Sequence, residues 1–457
     1  MFESFSGVIA FAFMSSLLVV ATVLRAKIRF LQTALVPASL IAGAIGFTLL
    51  AADLSFGYTS SDFTAFTFHC FTLSFMSLCL TGSPAGAKGN TVIAGGSWLS
   101  AVWVSSLVMQ ALIGLGVVLT YNALTGNSLS TFLGMIATHG FTQGPGQAIA
   151  LGNIWETELG IEHAVSFGLI YASIGFVVAF VFGVPVAKWA ITKGLNFNQK
   201  ARIDEDFLSG VHSVESRPEA GRQVTHSANV DSLAFHIAIL GIAYFITHQY
   251  LLWIAPLAQT WVLGDIHFGI LFSHNLFFLH GLMVCVLMRL LIDRLGYGHF
   301  IDNDTQRRIT GSSVDFMVVA TMMSIQFGLL ITFLVPIVLV CVAVSLGTAL
   351  MCFLLGRQLQ HLGIERALTI FGCCCGSTGT GLLLLRIVDP DFSTPIAKEL
   401  AFFNIAILIA GFHILTLMAP ILPSYDISTI VSVYAATLIA GGIISLLIGR
   451  RVPAHTA

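Results

Sequence analysis

The sequence predicts an all-α polytopic membrane protein. Of its 457 residues, 56% are hydrophobic and only 9% are Asp, Glu, Lys or Arg, whereas about 25% of the residues of a soluble domain are charged. The mean hydropathy is +0.91. The apolar residues form long blocks, such as the charge-free interval 89–155, and this pattern excludes a β-barrel with short alternating segments. A net charge of −2 without a basic stripe excludes nucleic-acid binding.

A helix that crosses a membrane needs about 20 apolar residues, and the charge-free intervals predict eleven spans. The spans are expected at 4–24, 30–52, 63–87, 91–120, 163–187, 232–255, 266–288, 315–335, 337–355, 400–420 and 427–449. Two shorter, glycine-rich pieces lie near 131–150 and 367–385. We expect both to be re-entrant hairpins, which enter and leave the membrane on the same side.

The basic residues predict the orientation, because Lys and Arg accumulate in cytoplasmic loops. With the N-terminus outside and both glycine-rich pieces re-entrant, all 20 Lys and Arg residues fall on one side. The charged residues of the loops on the opposite side are all acidic, such as Glu156 and Asp426. We therefore expect a multi-pass protein of the cell inner membrane, with a periplasmic N-terminus and with its central linker and C-terminus in the cytoplasm.

The order of spans repeats within the chain. Each half has four spans, a glycine-rich piece and one further span, and the segment 142–146 aligns with 377–381. Because the halves start on opposite sides, the repeats are inverted, which is typical of secondary transporters with a site at interrupted helices. The expected units are a first repeat 1–192, a cytoplasmic linker 193–231, a second repeat 232–420, and an extra C-terminal span with a basic tail 421–457.

The two glycine-rich tips contain residue types suited to a small anion. A break inside the membrane exposes backbone groups that need partners, and glycine lets the backbone approach a ligand closely. A half-helix that begins after the break directs its positive end at the site, which suits a carboxylate. The candidate substrate-binding residues are Thr142, Gln143, Gly144, Gly146, Ser377, Thr378, Gly379, Thr380, Gly381 and Arg386. Close helix packing is the alternative role for the glycines, but two related copies favour transport.

A cation is expected to travel with the anion, because carbonyls of unwound backbone can hold Na⁺. The candidate cation-binding residues are His139, Gly140, Gly376, Asn404 and His413. No other metal is expected, since the adjacent cysteines 373–375 suit neither a disulfide nor a tetrahedral metal site. Asp315 is expected at the start of the span 315–335, where a helix N-terminus accommodates a carboxylate. Arg386 is expected to pair with a substrate carboxylate or with Asp389.

Two segments around these tips resemble the sodium:glutamate symporter family. They are Gly140–Ala148 and Ser377–Phe392, and Val36-Pro37 followed by Gly43 and Gly46 is also similar to that family. The resemblance covers most of residues 1–420. It implies a scaffold, a mobile core that carries the hairpins, a homodimer, and Na⁺-driven uptake of glutamate.

The sequence therefore predicts a secondary transporter that takes up glutamate or a similar small carboxylate with Na⁺ by elevator-like alternating access, surrounded by membrane lipid. One alternative is an H⁺- or Na⁺-coupled carrier of another organic anion, such as a dicarboxylate or hydroxycarboxylate. H⁺ coupling is an alternative because this chain has His413 late in the span after the second hairpin, where the best-known members of the family have an acidic residue. A passive channel is the second alternative. An enzyme is not expected, because no base–nucleophile or metal-triad spacing is evident.

Overall fold

A computed structural model describes residues 2–81, 90–199, 203–215, 217–263, 266–390 and 392–450. The helices of the first part are α1 Phe2–Lys27, α2 Arg29–Thr33, α3 Ala38–Ala51, α4 Ser61–Leu80, α5 Asn90–Thr125, α6 Phe132–Met135, α7 Pro145–Thr157, α8 Ala164–Thr192 and α9 Glu205–Ser209. Those of the second part are α10 Ser232–Ala258, α11 Phe277–Arg294, α12 Asn303–Met323, α13 Phe327–Thr332, α14 Leu334–Arg357, α15 Gly363–Cys375, α16 Thr378–Val388, α17 Ile396–Ala410 and α18 Ile427–Gly449.

Shorter elements join these helices. Two π-helical segments cover His139–Gln143 and His413–Met418. Four 3₁₀ segments cover Phe268–Phe272, His274–Leu276, Gly298–Phe300 and Ala419–Ser424. Two-residue strands, β1 Val262–Leu263 and β2 Ile266–His267, pair antiparallel. Among the described residues, eight helices are long and apolar enough to cross a membrane, or nine if α17 and the segment after its 51° bend form one span. The chain is therefore a polytopic helical membrane protein.

Four of the expected spans differ from the structure. The expected span 266–288 starts with a strand and two 3₁₀ segments before α11 begins at Phe277, and the expected span 400–420 is bent by 51° after α17 ends at Ala410.

The interval 30–52 contains a break between α2 and α3, where Leu35 has a φ of 51° and Pro37 precedes the helix. Proline lacks an N–H and disfavours helix in the residue before it. The interval 315–335 is not one span either, because α12 begins at Asn303, where Asp302 accepts a hydrogen bond from the Thr305 N–H, and ends at Met323.

The predicted cytoplasmic ends lie together in space. Arg25, at the end of α1, donates to the carbonyl of Phe207 (3.2 Å) in the linker, and Arg308 donates to the carbonyl of Ala220 (2.8 Å). The end of α11 is joined to the end of α4 in the same way, because Arg289 donates to the carbonyl of Leu80 (2.9 Å). The linker thus packs against the ends of α1 and α12 as one surface, which we call the linker face.

Close helix crossings depend on glycine at two positions of α3. A Cβ on Gly43 would lie 2.8 Å from Met322, and one on Gly46 would lie 2.6 Å from Met323. Both methionines belong to α12, so α3 and α12 approach more closely than side chains on α3 would allow. This contact explains the glycines that follow Val36-Pro37.

Candidate functional site

The first helix break lies at Gly144, inside the interval predicted for a hairpin. The π-helical segment ends there, and α7 begins with Pro145, which fits the first position of a helix. Gly144 has a φ of 91°, a conformation that only glycine adopts without strain. Thr138 donates to the carbonyl of Leu107 in α5 (2.6 Å), and a Cβ on Gly140 would meet the carbonyl of Gly168 in α8 at 2.7 Å. The break is therefore held between α5 and α8.

The second break lies at Gly376 and Ser377. Helix α15 ends at Cys375, and α16 begins at Thr378 with Ser377 as its N-cap, whose hydroxyl accepts from the Thr380 N–H (3.4 Å). The two half-helices pack tightly side by side, because a Cβ on Gly381 would lie 2.4 Å from the sulfur of Cys373. This chain segment therefore folds back on itself.

The two breaks meet in the protein interior. A Cβ on Gly144 would lie 3.4 Å from the carbonyl oxygen of Gly376. The fully buried Gln110 of α5 joins them, because its amide donates to the carbonyl of Cys374 (2.9 Å) and its oxygen accepts from the Thr142 hydroxyl (2.6 Å). On the other side, a Cβ on Gly175 of α8 would lie 2.4 Å from the carbonyl oxygen of Cys375.

Helix ends of opposite polarity converge at this point. The N-termini of α7 and α16 present N–H groups that favour an anion. The C-termini of the π-helical segment and α15 present carbonyl oxygens, which favour a cation. Two buried polar atoms nearby, Nε2 of His139 and the hydroxyl of Tyr171, have no hydrogen-bond partner among the described residues. The arrangement can therefore hold an anion and a cation side by side.

Comparison with known families decides the identity. The model of the sodium/glutamate symporter family matches residues 4–382. The chain belongs to the sodium/glutamate symporter family. The matched region contains both breaks of this symporter and ends just after the second one, so Arg386, Asn404 and His413 lie beyond it. No curated protein matches the chain.

The structure of the symporter brings most of the predicted site residues together. Residues 139–146 form the buried first break and residues 376–381 the second. The side chain of Gln143 contacts Nδ1 of His139 within the first break. Asn404 of α17 reaches the second break, because its oxygen accepts from the Thr378 hydroxyl (2.9 Å).

Two predicted residues lie elsewhere. Arg386 is exposed in the last turn of α16, with its guanidinium 5.2 Å from the centre of the Phe392 ring. It does not pair with Asp389, whose carboxylate accepts from Ser393 and Thr394 instead (2.7 Å to each hydroxyl). His413 is also exposed and lies 3.1 Å from the hydroxyl of Thr437 in α18. Neither of these contacts involves a residue of the two breaks.

A buried ion pair supports the second break and was not predicted. Arg366 of α15 makes two bonds to Glu399 of α17, at 2.8 and 2.7 Å, and both side chains are at most 1% exposed. Arg366 also donates to the carbonyl of His361 (2.8 Å). A Cβ on Gly95 of α5 would lie 2.1 Å from the Glu399 carboxyl carbon, so glycine is required there. The pair ties the second break to α17 and α5.

Sequence reasoning also missed Gln110. It stands alone as an amide in an apolar stretch of α5, and this isolated polar residue was the signal available. Its partners were not deducible, because they come from two breaks that are more than 200 positions apart.

Proposed function

We propose that the protein is a Na⁺-coupled symporter that takes up glutamate or a similar small carboxylate across the inner membrane. The main support for this proposal is that the two helix breaks lie next to each other. The N-termini of α7 and α16, with the hydroxyls of Thr142, Ser377 and Thr378, would bind the carboxylate. The carbonyl ends of the π-helical segment and of α15 would help to bind the cation. The family assignment supports both ligands.

We further propose that residues 1–192 and 232–420 are inverted repeats, with α18 as an added helix. Equivalent packing in the two halves supports this. Helix α1 packs on α3 as α10 packs on α11, α4 packs on α11 as α12 packs on α3, and α5 packs on α6 as α14 packs on α15. In addition, α4 packs on α12 and α5 on α14, so corresponding helices meet each other across the molecule.

Transport would follow an elevator-like alternating-access mechanism, in which a core with both breaks moves against a scaffold. The linker face would be cytoplasmic and the N-terminus periplasmic, since Arg25 and Arg308 donate to linker carbonyls on that face and Lys and Arg accumulate on the cytoplasmic side. The family resemblance is the basis for proposing a homodimer. Arg386 and His413 are left out of the proposed ligand site because their contacts are with Phe392 and with Thr437 of α18.

The test is uptake of radiolabelled glutamate into proteoliposomes with and without an inward Na⁺ gradient. We expect saturable uptake that needs the gradient, and we expect Thr142→Val to reduce it strongly while Thr157→Val, at the far exposed end of α7, leaves it unchanged. Uptake that ignores Na⁺ and follows pH would move the coupling to H⁺. If a dicarboxylate inhibited uptake more strongly than unlabelled glutamate, the dicarboxylate would be the preferred substrate. Single-channel currents would refute the carrier mechanism.

A further inference from the structure

A large cavity lies between α10, α12 and the linker, away from the proposed transport site. Its volume is about 1210 Å³, which exceeds the roughly 300–1,000 Å³ of pockets that hold drug-sized ligands. The residues of the two breaks, 139–146 and 376–381, are not among those that line it. An occupant that fills this cavity would therefore be larger than glutamate and would bind outside the breaks.

One wall of the cavity is an apolar face of α10. Leu233, Ile237, Gly241 and Phe245 line it at a spacing of four residues, so they follow one side of the helix. Only 28% of the apolar stretch of α10 is buried, because this helix packs mainly on α11 and leaves space beside α12. A Cβ on Gly241 would meet nothing within 4 Å. Since α10 crosses the membrane, acyl chains of lipids can enter the cavity from the side.

The cavity is about as long as one leaflet of a membrane. Along α10 it extends from Ser232 to His248, which is about 24 Å at 1.5 Å per residue. Half of a bilayer, with its head groups, is about 20–22 Å thick. A lipid molecule that lies along α10 would therefore place its head group at the linker and its chains in the hydrocarbon region.

Two arginines line the linker end of the cavity. Arg308 donates to the carbonyl of Ala220 (2.8 Å), and Arg222 lies two residues further along the linker. Both side chains are exposed. In the described part of the chain, neither guanidinium forms an ion pair with a carboxylate. Guanidinium groups bind phosphate oxygens strongly, and basic pockets between membrane helices are typical sites for lipid head groups.

The acidic residues at this end already have partners. Asp231 caps α10 and accepts from the Leu233 N–H (2.8 Å). Asp302 caps α12 and accepts from the N–H groups of Thr305 (2.9 Å) and Arg222 (3.2 Å). The positive end of each helix offsets the charge of its cap, so the two guanidinium groups make this end of the cavity attractive to an anion.

Hydrogen bonds fix the linker across the starts of both helices. The Ser232 hydroxyl of α10 accepts from the Val224 N–H of the linker (2.9 Å). The fully buried His236 of α10 accepts from the Asp302 N–H at the start of α12 (2.8 Å). A Cβ on Gly221 would lie 2.8 Å from the Asp302 carboxylate, so the linker backbone approaches α12 more closely than other residues would allow. The basic end of the cavity is therefore built by the fold and held in place.

Polar groups continue along the α12 wall. Ser313 lines the cavity about 8 Å deeper along the helix axis than Arg308. A serine hydroxyl there can donate to the ester oxygens that follow the phosphate of a phospholipid. The other titratable groups on the walls are Asp315, which lies inside α12 and not at its start, and Tyr244 and His248 of α10.

We propose that this cavity binds one anionic phospholipid of the leaflet on the side of the linker face. Its phosphate would contact Arg222 and Arg308, and an acyl chain would lie along the apolar face of α10. The lipid would join α10, α12 and the linker as a structural ligand. This site goes beyond the proposed function, because it shares no residue with the breaks.

The experiment measures lipid binding to the purified full-length protein in detergent, by native mass spectrometry and by the shift of unfolding temperature. The probes are phosphatidylglycerol, zwitterionic phosphatidylcholine and inorganic phosphate. We expect one phosphatidylglycerol to bind each chain and to raise the unfolding temperature, with weaker effects of phosphatidylcholine and none of inorganic phosphate. Equal binding of the two lipids would indicate non-specific membrane lipid, and equal stabilisation by inorganic phosphate would indicate an anion site without a lipid; either result would overturn the proposal.

Charge variants test the head-group end. Arg222→Gln and Arg308→Gln should each weaken phosphatidylglycerol binding about fivefold, and the double variant about 25-fold. Arg222 contacts Asp302 through its backbone N–H, which the substitution leaves in place, so this variant serves even if Arg308→Gln does not fold. The matched control is Arg307→Gln, next to Arg308 on α12 but paired with Asp304, and it should bind the lipid like the parent. Parental affinity in Arg222→Gln would refute the head-group site.

A cavity-filling variant tests the position of the acyl chain. Gly241→Leu places a side chain in the open space of the cavity and should weaken phosphatidylglycerol binding several-fold. The control is Gly442→Leu in α18, where a Cβ would also meet nothing within 4 Å, and it should leave lipid binding unchanged. If Gly241→Leu alters the oligomeric state and leaves lipid binding at the parental level, the cavity is a subunit interface and the proposal is wrong.

Discussion

Loss of one partner of the Arg366–Glu399 pair should destabilise the protein more than any exposed charge substitution. Glu399→Gln leaves the guanidinium of Arg366 in a site where the two side chains are 1% and 0% exposed. Breaking a buried pair in this way costs about 3–5 kcal/mol, because the remaining guanidinium loses its directly bonded counter-charge in a site closed to water. The bidentate geometry, with bonds of 2.8 and 2.7 Å, places this site at the stronger end of such interactions.

The same reasoning predicts that removing both charges restores part of the lost stability. The double variant Arg366→Met with Glu399→Leu replaces the pair by apolar groups of similar length, and we expect it to be more stable than Glu399→Gln. The exposed pair Arg307–Asp304, at 55% and 63% exposure, provides the control, since Asp304→Asn should cost about 1 kcal/mol or less.

The assay is thermal unfolding of the four proteins in one detergent, followed by intrinsic fluorescence at constant protein concentration. The expected order of unfolding temperature is parent and Asp304→Asn highest, the double variant next, and Glu399→Gln lowest. If Glu399→Gln unfolds at the temperature of Asp304→Asn, or if the double variant is no more stable than the single one, the argument from an uncompensated buried charge is wrong.

Three further predictions concern single residues. Gln110→Leu should remove the two hydrogen bonds by which its amide joins the breaks, leaving only the 3.3 Å bond from the Thr142 hydroxyl to the Cys374 carbonyl, and cost about 1–3 kcal/mol, with uptake reduced in proteoliposomes at equal protein content. Gly144→Ala should lower uptake and unfolding temperature, because its φ of 91° strains any residue with a Cβ; Gly116→Ala, where a Cβ would meet nothing within 4 Å, should change neither. The Asp426 carboxylate caps α18, and hydrogen bonds, first from Ser428, lower its pKa to about 2. The stability advantage of the parent over Asp426→Ala should therefore be full at neutral pH and decline as pH falls from the ordinary aspartate pKa of 3.8 towards about 2, which unfolding scans across that range would measure.

The sequence by itself determined the class of protein, the family and the position of both breaks. Hydropathy and charge depend on composition, so the membrane class followed directly, and the family assignment from the tip motifs is confirmed. The breaks at Gly144 and Gly376 lie inside the predicted intervals because turn formation inside a membrane is a local property of glycine and proline. Helix boundaries were harder to predict from the sequence. For example, α12 begins at the Asp302 cap, well before its apolar part.

The tertiary structure alone decided which polar groups meet. Gln110 joins two breaks from distant parts of the chain, and Arg366 finds its counter-charge on α17. These pairings depend on how helices from the two halves cross, whereas the signals of a single sequence report mainly on neighbours within one helix. A buried polar side chain must find a partner, but only the packed structure determines which partner lies within reach.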